Sequence, residues 1–263
     1  TNFMFTYSGS LTNILRVRAT ATDLTTNSTS ELSAAVTNIT DITPPSLTFN
    51  SLPHTNTTTP TLTGTYSDVN GVASVTVSID GGAHQAATLN AGTWSYTATT
   101  LTAGTHTVVV RATDNAGNIT TTTSSNVVVD ITNPVVNYTP IALTNDSTPT
   151  LSGSYSDANG VASVTVSIDG GAAQTATLNA GSWSFTSAAL TEGTHTVVVT
   201  ATDNAGNITS TTSSNIIIDL TNPAVSFTPI PFSASATPTL TGSYSDANGV
   251  ASVTVSIDGG RSE

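Results

Sequence analysis

Apolar residues along this chain alternate with threonine and serine at a period of two. The pattern is cleanest over Val161–Ile168, where Val164, Val166 and Ile168 point one way and Ser163, Thr165 and Ser167 the other. That is the signature of a half-buried strand. The same reading predicts strands over Val135–Ile141, opened by Pro134, and over Thr148–Tyr155, with Leu151, Gly153 and Tyr155 on one face. Ala172–Leu178, Ser182–Phe185 (Trp183 and Phe185 on one face), Thr194–Thr202 and Asn215–Asp219 follow. Asp169-Gly170 marks a hairpin turn, because glycine accepts positive φ. No segment has helical periodicity. Seven short strands closely spaced by turns predict a two-sheet sandwich. One apolar face and one Thr/Ser face per strand fits sheets with one side wet.

The pattern recurs. Gly153–Gly171 reads GSYSDANGVASVTVSIDGG, Gly242–Gly260 is identical, and Gly64–Gly82 reads GTYSDVNGVASVTVSIDGG. The block ATDNAGNIT starts at Ala112 and again at Ala201. Asp41-Ile-Thr-Pro-Pro returns as Asp130-Ile-Thr-Asn-Pro and Asp219-Leu-Thr-Asn-Pro. All three blocks share a period of 89 residues. This is too long for a solenoid coil or a propeller blade, and it suits one small domain per repeat. The expected organisation is a diverged partial repeat over 1–42, full repeats over 43–131 and 132–220, and the start of another over 221–263. The chain thus reads as a segment of a longer protein.

Composition narrows the function classes. Sixteen acidic residues face four basic ones, for a net charge of −12 and a pI of about 4.2. The basic residues are Arg16, Arg18, Arg111 and Arg261, and there is no lysine or cysteine. No basic footprint exists for nucleic acid. Schiff-base chemistry, P-loops, lysine isopeptide crosslinks, disulfides and thiolate metal sites are excluded. No apolar run is long enough to span a membrane as a helix. The chain is 37% hydrophobic with a mean hydropathy of +0.09, enough to build cores.

The blocks SDANGVASVTVSIDGG, TATDNAGN and D-x-T-x-P resemble bacterial immunoglobulin-like repeats. Such repeats fill the stalks of large secreted, RTX-type adhesins and biofilm proteins. The resemblance implies an all-β array of seven-stranded immunoglobulin-like sandwiches and a structural, extracellular role. It implies a spacer that presents a distal adhesive domain, with neighbouring repeats as its partners and host or biofilm surfaces reached by domains elsewhere; the alternatives are a module that itself binds glycans or a host protein, and an accessory array of a secreted enzyme.

Eight aspartates fall in the repeating loop blocks. In a seven-stranded sandwich the B–C loop (SDANG), the F–G loop (DNAGN) and the incoming linker share one end. Asp41, Asp68 and Asp114 are therefore expected to meet, as are Asp130, Asp157 and Asp203, and Asp219 with Asp246. Three carboxylates need a counter-charge, and oxygen ligands in irregular loops suit Ca2+, with Asn70, Asn159 and loop carbonyls as further donors. The adhesin repeats also use calcium at such junctions. The competing reading is that these are ordinary Asx turns. Asp80, Asp169 and Asp258 sit in Asp-Gly hairpins at the other end and read as turn residues.

Catalysis is not expected. His106 and His195 hold one structural position in two repeats, while His54 and His84 do not recur. No zinc motif, Gly-x-Ser-x-Gly elbow or repeated glutamate pair exists. Trp94 and Trp183 read as core residues rather than sugar platforms, and the threonine faces as charge-free solubility rather than ice binding. The Asn118 and Asn207 sequons read as incidental. The truncated 221–263 repeat is expected to be disordered or aggregation-prone.

Overall fold

The computed structural model describes residues 22, 23, 25–27, 29, 41–141, 143–212 and 215–257. The chain falls into two units, Thr1–Ile131 and Thr132–Glu263. Among the described residues no helix is long and apolar enough to cross a membrane.

The first unit contains β1 (Ser46–Leu47), β2 (His54–Thr55), β3 (Thr61–Ser67), β4 (Val72–Ile79), β5 (Gln85–Ala86), β6 (Thr88–Asn90), β7 (Thr93–Thr97), β8 (Gly104–Asp114) and β9 (Ile119–Val129). One sheet has the order β1-β3-β7-β6 and the other β2-β9-β8-β4-β5. All pairings are antiparallel except β2 with β9. The chain changes sheet between β1 and β2 at Pro53, which cannot donate to a ladder. Its carbonyl accepts the Val128 N–H instead (3.1 Å).

The second unit repeats this plan with β10 (Val135–Tyr138), β11 (Leu143–Thr144), β12 (Thr150–Ser156), β13 (Val161–Ile168), β14 (Gln174–Thr175), β15 (Thr177–Asn179), β16 (Ser182–Thr186), β17 (Gly193–His195), β18 (Val197–Asp203), β19 (Ile208–Thr212) and β20 (Ile216–Ile218). Its sheets are β10-β12-β16-β15, β14-β13-β18-β19 and β11-β20-β17. The predicted strand Ala172–Leu178 is two strands in different sheets, because the chain crosses over at Ala176, whose N–H still reaches Val164 O (2.9 Å). The predicted strand Thr194–Thr202 is broken at Thr196, the predicted Asn215–Asp219 contains β20, and β19 (Ile208–Thr212) is a strand the pattern did not place.

The cores lie between the sheets. In the first unit Trp94, Leu62, Val75, Val77, Val108 and Val110 are almost fully buried. Phe49 stacks on Trp94 with centroids 6.0 Å apart, and Tyr138 on Trp183 at 6.2 Å. The fold class is the expected one, all-β sandwiches. In the last partial repeat β21 (Ala224–Phe227) pairs with β22 (Gly242–Ser245). The partial repeat, expected to be disordered or aggregation-prone, thus carries one ladder. It leaves Val225, Phe227 and Tyr244 exposed, whereas Val136, the counterpart of Val225, is buried. The expected strands of 1–42 lie almost wholly outside the described residues, apart from a bridge between Thr22 and Thr29 around Asp23.

Candidate metal centre

The inward row of β8 has an ionisable residue at each end. It runs His106, Val108, Val110, Ala112, Asp114, and all five are buried. The second unit repeats it as His195, Val197, Val199, Ala201, Asp203. Alternation puts the valines into the core. Asp114 marks the point where β8 turns toward β9.

Asp114 is 2% exposed and tightly held. Its Oδ1 accepts the N–H groups of Ala116 (2.9 Å) and Asn118 (2.8 Å), and its Oδ2 accepts the Asn118 Nδ2–H (2.8 Å). Burial pushes its carboxyl up, but the bonds from Asn118, Ala116 and Gly117 outweigh this and hold it below the usual carboxylate range. Asp68 sits in the β3–β4 loop, and its Oδ1 accepts the Asn70 N–H (2.7 Å). Gly71, at φ 92°, turns that loop so that its carbonyl accepts the Asn115 N–H (3.1 Å). The Asn115 Nδ2–H also donates to Asn70 O (2.8 Å), tying the two loops together.

Asp41 precedes β1. Its Oδ1 accepts the Thr43 N–H (3.0 Å), and its backbone oxygen accepts the Asn118 Nδ2–H (3.0 Å). Four residues on, Thr120 Oγ1 donates to Pro45 O (2.5 Å). The start of β9 thus straps the linker against the loop.

The outcome is a cluster in which Asp41, Asp68 and Asp114 each offer a carboxylate oxygen, all within 4.8 Å of one another. Each carboxylate spends Oδ1 on its own loop. The Oδ2 of Asp41 is buried without a hydrogen-bond partner. Oxygens coordinated to one calcium ion at 2.3–2.6 Å stand at most about 5 Å apart. The all-oxygen donor set, the spacing and the orphaned Asp41 oxygen therefore fit a hard divalent cation. At Asp41 the two roles fall on different oxygens, with Oδ1 serving the turn and Oδ2 left for a ligand, whereas Asp114 Oδ2 also accepts the Asn118 Nδ2–H.

The other sequence-identified aspartates occupy matching loops. In the second unit Asp157 Oδ1 accepts the Asn159 N–H (2.8 Å), and Asp203 Oδ1 accepts those of Ala205 (2.8 Å) and Asn207 (2.9 Å). The Asn207 Nδ2–H donates to Asp203 Oδ2 (2.8 Å). Asp130 is buried near the end of the first unit, with its N–H on Thr55 O (2.9 Å). Asp219 accepts the Thr221 N–H (3.2 Å) and Asp246 the Asn248 N–H (2.8 Å). Asn115, Asn118 and Thr120 were not singled out by sequence as site residues. Their signal was the recurrence of the whole DNAGNIT block, beyond what a turn needs.

The tryptophans are closed to ligands. Trp94 and Trp183 are each 1% exposed, and their Nε1–H groups donate to Thr48 O and Asn137 O (both 2.9 Å). Neither can stack on a sugar.

A family profile of the bacterial Ig-like domain matches residues 50–131 and 142–220. No curated protein matches the chain. Among solved structures, the fibronectin(III)-like modules of Clostridium thermocellum CbhA are 18% identical, with a TM-score of 0.46 over 66% of this chain and 94% of that one. A tetra-tandem repeat from the extending region of a large adhesion protein is 28% identical, with a TM-score of 0.31 over 70% of this chain and 51% of that one. The present chain thus spans about half the length of that structure. A structure concerned with host cell surface retention of a 1.5-MDa bacterial ice-binding adhesin is 23% identical, with a TM-score of 0.36 over 71% and 70% of the two chains. The profile matches take in more than half of the residues and fall on the two repeats that fold as sandwiches, and the chain belongs to the bacterial Ig-like domain family.

Proposed function

We propose that this chain is a spacer from an extracellular bacterial surface protein, an array of non-catalytic Ig-like repeats over 43–131 and 132–220 whose junctions are stiffened by calcium. The observation that carries this reading is the convergence of Asp41, Asp68 and Asp114 on one point, with one buried carboxylate oxygen unpartnered. Those three residues would hold the ion. By the 89-residue period, Asp130, Asp157 and Asp203 would hold a second, and Asp219 and Asp246 would begin a third. A bound calcium ion supplies the positive charge that offsets carboxylate repulsion and joins the linker to both loops. The protein residues do the rest: Asn118 holds Asp41 against Asp114, and Asn115 holds the loop of Asp68. Such a spacer would present an adhesive domain elsewhere in the parent protein. The buried tryptophans weigh against the repeats being glycan binders themselves.

A calorimetric calcium titration of the full chain tests this, with Asp68→Asn beside it. Asn keeps the Oδ1 bond to Asn70 N–H while removing the charge. The wild type should bind with dissociation constants of roughly 0.1–1 mM, and the variant should lose one site's share of the heat. The absence of saturable binding up to about 10 mM, well above that range, would reduce the aspartates to turn residues.

A further inference from the structure

The other end of β8 holds a second constellation, unrelated to the aspartate cluster. His106 is 6% exposed. Its Nδ1 lies 2.6 Å from Asp80 Oδ2 and its Nε2 lies 2.9 Å from the carbonyl oxygen of Thr102. Asp80 sits at φ 51° in the turn after β4, and its Oδ1 accepts the Thr107 N–H (2.9 Å). The Asp80 N–H in turn donates to Thr107 O (2.9 Å). Thr107 is free for this exchange because the β8–β9 register slips between His106 and Val108, a bulge that turns one peptide out of the ladder. Every feature recurs 89 residues on. His195 Nδ1 is 2.7 Å from Asp169 Oδ2, its Nε2 is 2.9 Å from Thr191 O, and Thr196 exchanges the same two bonds with Asp169.

This geometry suits the doubly protonated ring. A carbonyl oxygen can only accept, so Nε2 must carry hydrogen. The carboxylate facing Nδ1 also accepts, so Nδ1 must carry hydrogen as well. A neutral ring would aim a lone pair at one of these oxygens and lose that bond. We propose that each repeat contains a proton-operated latch, closed when the imidazolium of His106 or His195 ties the Asp-Gly turn to the beginning of its strand and loosened when the ring loses a proton. In the first unit the latch lies beside Gly104–Val129, where β9 runs out toward Asp130. It therefore braces the sandwich end from which the linker leaves. Eight residues of β8, about 26 Å at 3.3 Å per residue, separate it from Asp114.

The charges around each ring are few. Asp80 on the turn is the charged group acting on His106. The loop offers Thr102 O, and the ladder partner is the uncharged Val127. Around His195 the partners are Asp169, Thr191 O and Ile216. Glu192 stands near this second ring in sequence, but its Oε2 accepts the Thr221 hydroxyl (2.6 Å). The bond to the aspartate, first of the causes, raises both imidazoles above their ordinary 6.5, and the bond to the imidazole lowers both aspartates below 3.8. A raised histidine stabilises the fold fully below 6.5, and that stability is lost as pH rises through the folded value. The lowered aspartates contribute above 3.8 and lose their contribution on acidification. The latch is tightest between these limits and opens on the alkaline side.

Nitrogen-15 spectra of the histidine rings in the full chain give the direct test, with melting curves recorded from pH 5.5 to 9. Both nitrogens of His106 and His195 should be protonated at pH 6 and titrate above 6.5, and the melting temperature should fall by several degrees across the upper half of the range. The double variant Asp80→Asn, Asp169→Asn keeps the positive-φ turn, which asparagine tolerates, and should melt with little pH dependence there. Neutral rings at pH 6 would overturn the proposal, and so would an unchanged pH profile in the double variant.

Discussion

Gly64 and Gly153 occupy their positions because nothing larger fits. A Cβ on Gly64 would strike Thr48 O and come within 2.6 Å of Trp94 Nε1, and one on Gly153 would strike Asn137 O and come within 2.7 Å of Trp183 Nε1. The missing side chain lets the indole edge cross the strand and donate to the carbonyl beyond it. Gly153→Ala should therefore displace Trp183, combining overpacking of about 1–3 kcal/mol with a lost hydrogen bond of about 1 kcal/mol. A denaturant midpoint within error of wild type would show that the indole can shift at no cost. At this scale the sequence was uneven. Trp183 was legible as core because a bulky aromatic alternates with serines. The glycine slot was not, because it depends on which strand lies opposite. The Asp80–His106 pair was invisible for the same reason: its members are 26 residues apart, and each alone reads as a turn or a strand residue.

Strands were legible where alternation was strong and lost where pairing was set by a neighbour. β3 shows the strong case, since its residues alternate between core and solvent. Leu62 is 1% exposed and packs in the core, whereas Thr61 faces out and shares a 3.0 Å hydroxyl contact with Thr97. Leu62→Ala should cost about 2–5 kcal/mol by leaving a cavity, and Thr61→Ala about 0.5 kcal/mol or less. Equal costs in chemical denaturation would mean that the two faces are not the wet and dry sides described. β2 and β11, two residues each, could not be foreseen, because their parallel pairing with β9 and β20 comes from distant chain. The threonine-rich start of β19 has little apolar pattern, and its partner β18 defines it.

Over the whole molecule, charge is the unbalanced quantity: sixteen acidic residues against four arginines. The grouping of Asp41, Asp68 and Asp114 was legible from the recurrence of three loop blocks together with the strand alternation that puts those loops at one end of a sandwich. The hydrogen bonds that leave one carboxylate oxygen available were not, because they depend on loop geometry. Within the first cluster the carboxylate oxygens lie no more than 4.8 Å apart. That is shorter than the screening length of about 10 Å at 0.1 M salt and longer than the 3 Å or so at 1 M. Sodium chloride should therefore relieve part of the repulsion, whereas a bound divalent ion should remove it and bridge the linker as well. In chelator, raising the salt should lift the melting temperature modestly. Calcium at a few millimolar should lift it further, by several degrees for each kcal/mol of binding in domains of this size, and should flatten the remaining salt dependence. Melting curves across a salt series, with chelator and with calcium, separate the two effects. If calcium achieves no more than sodium chloride of equal ionic strength, the aspartates act as a diffuse acidic patch, and the junctions owe their order to the Asn118 and Thr120 straps alone.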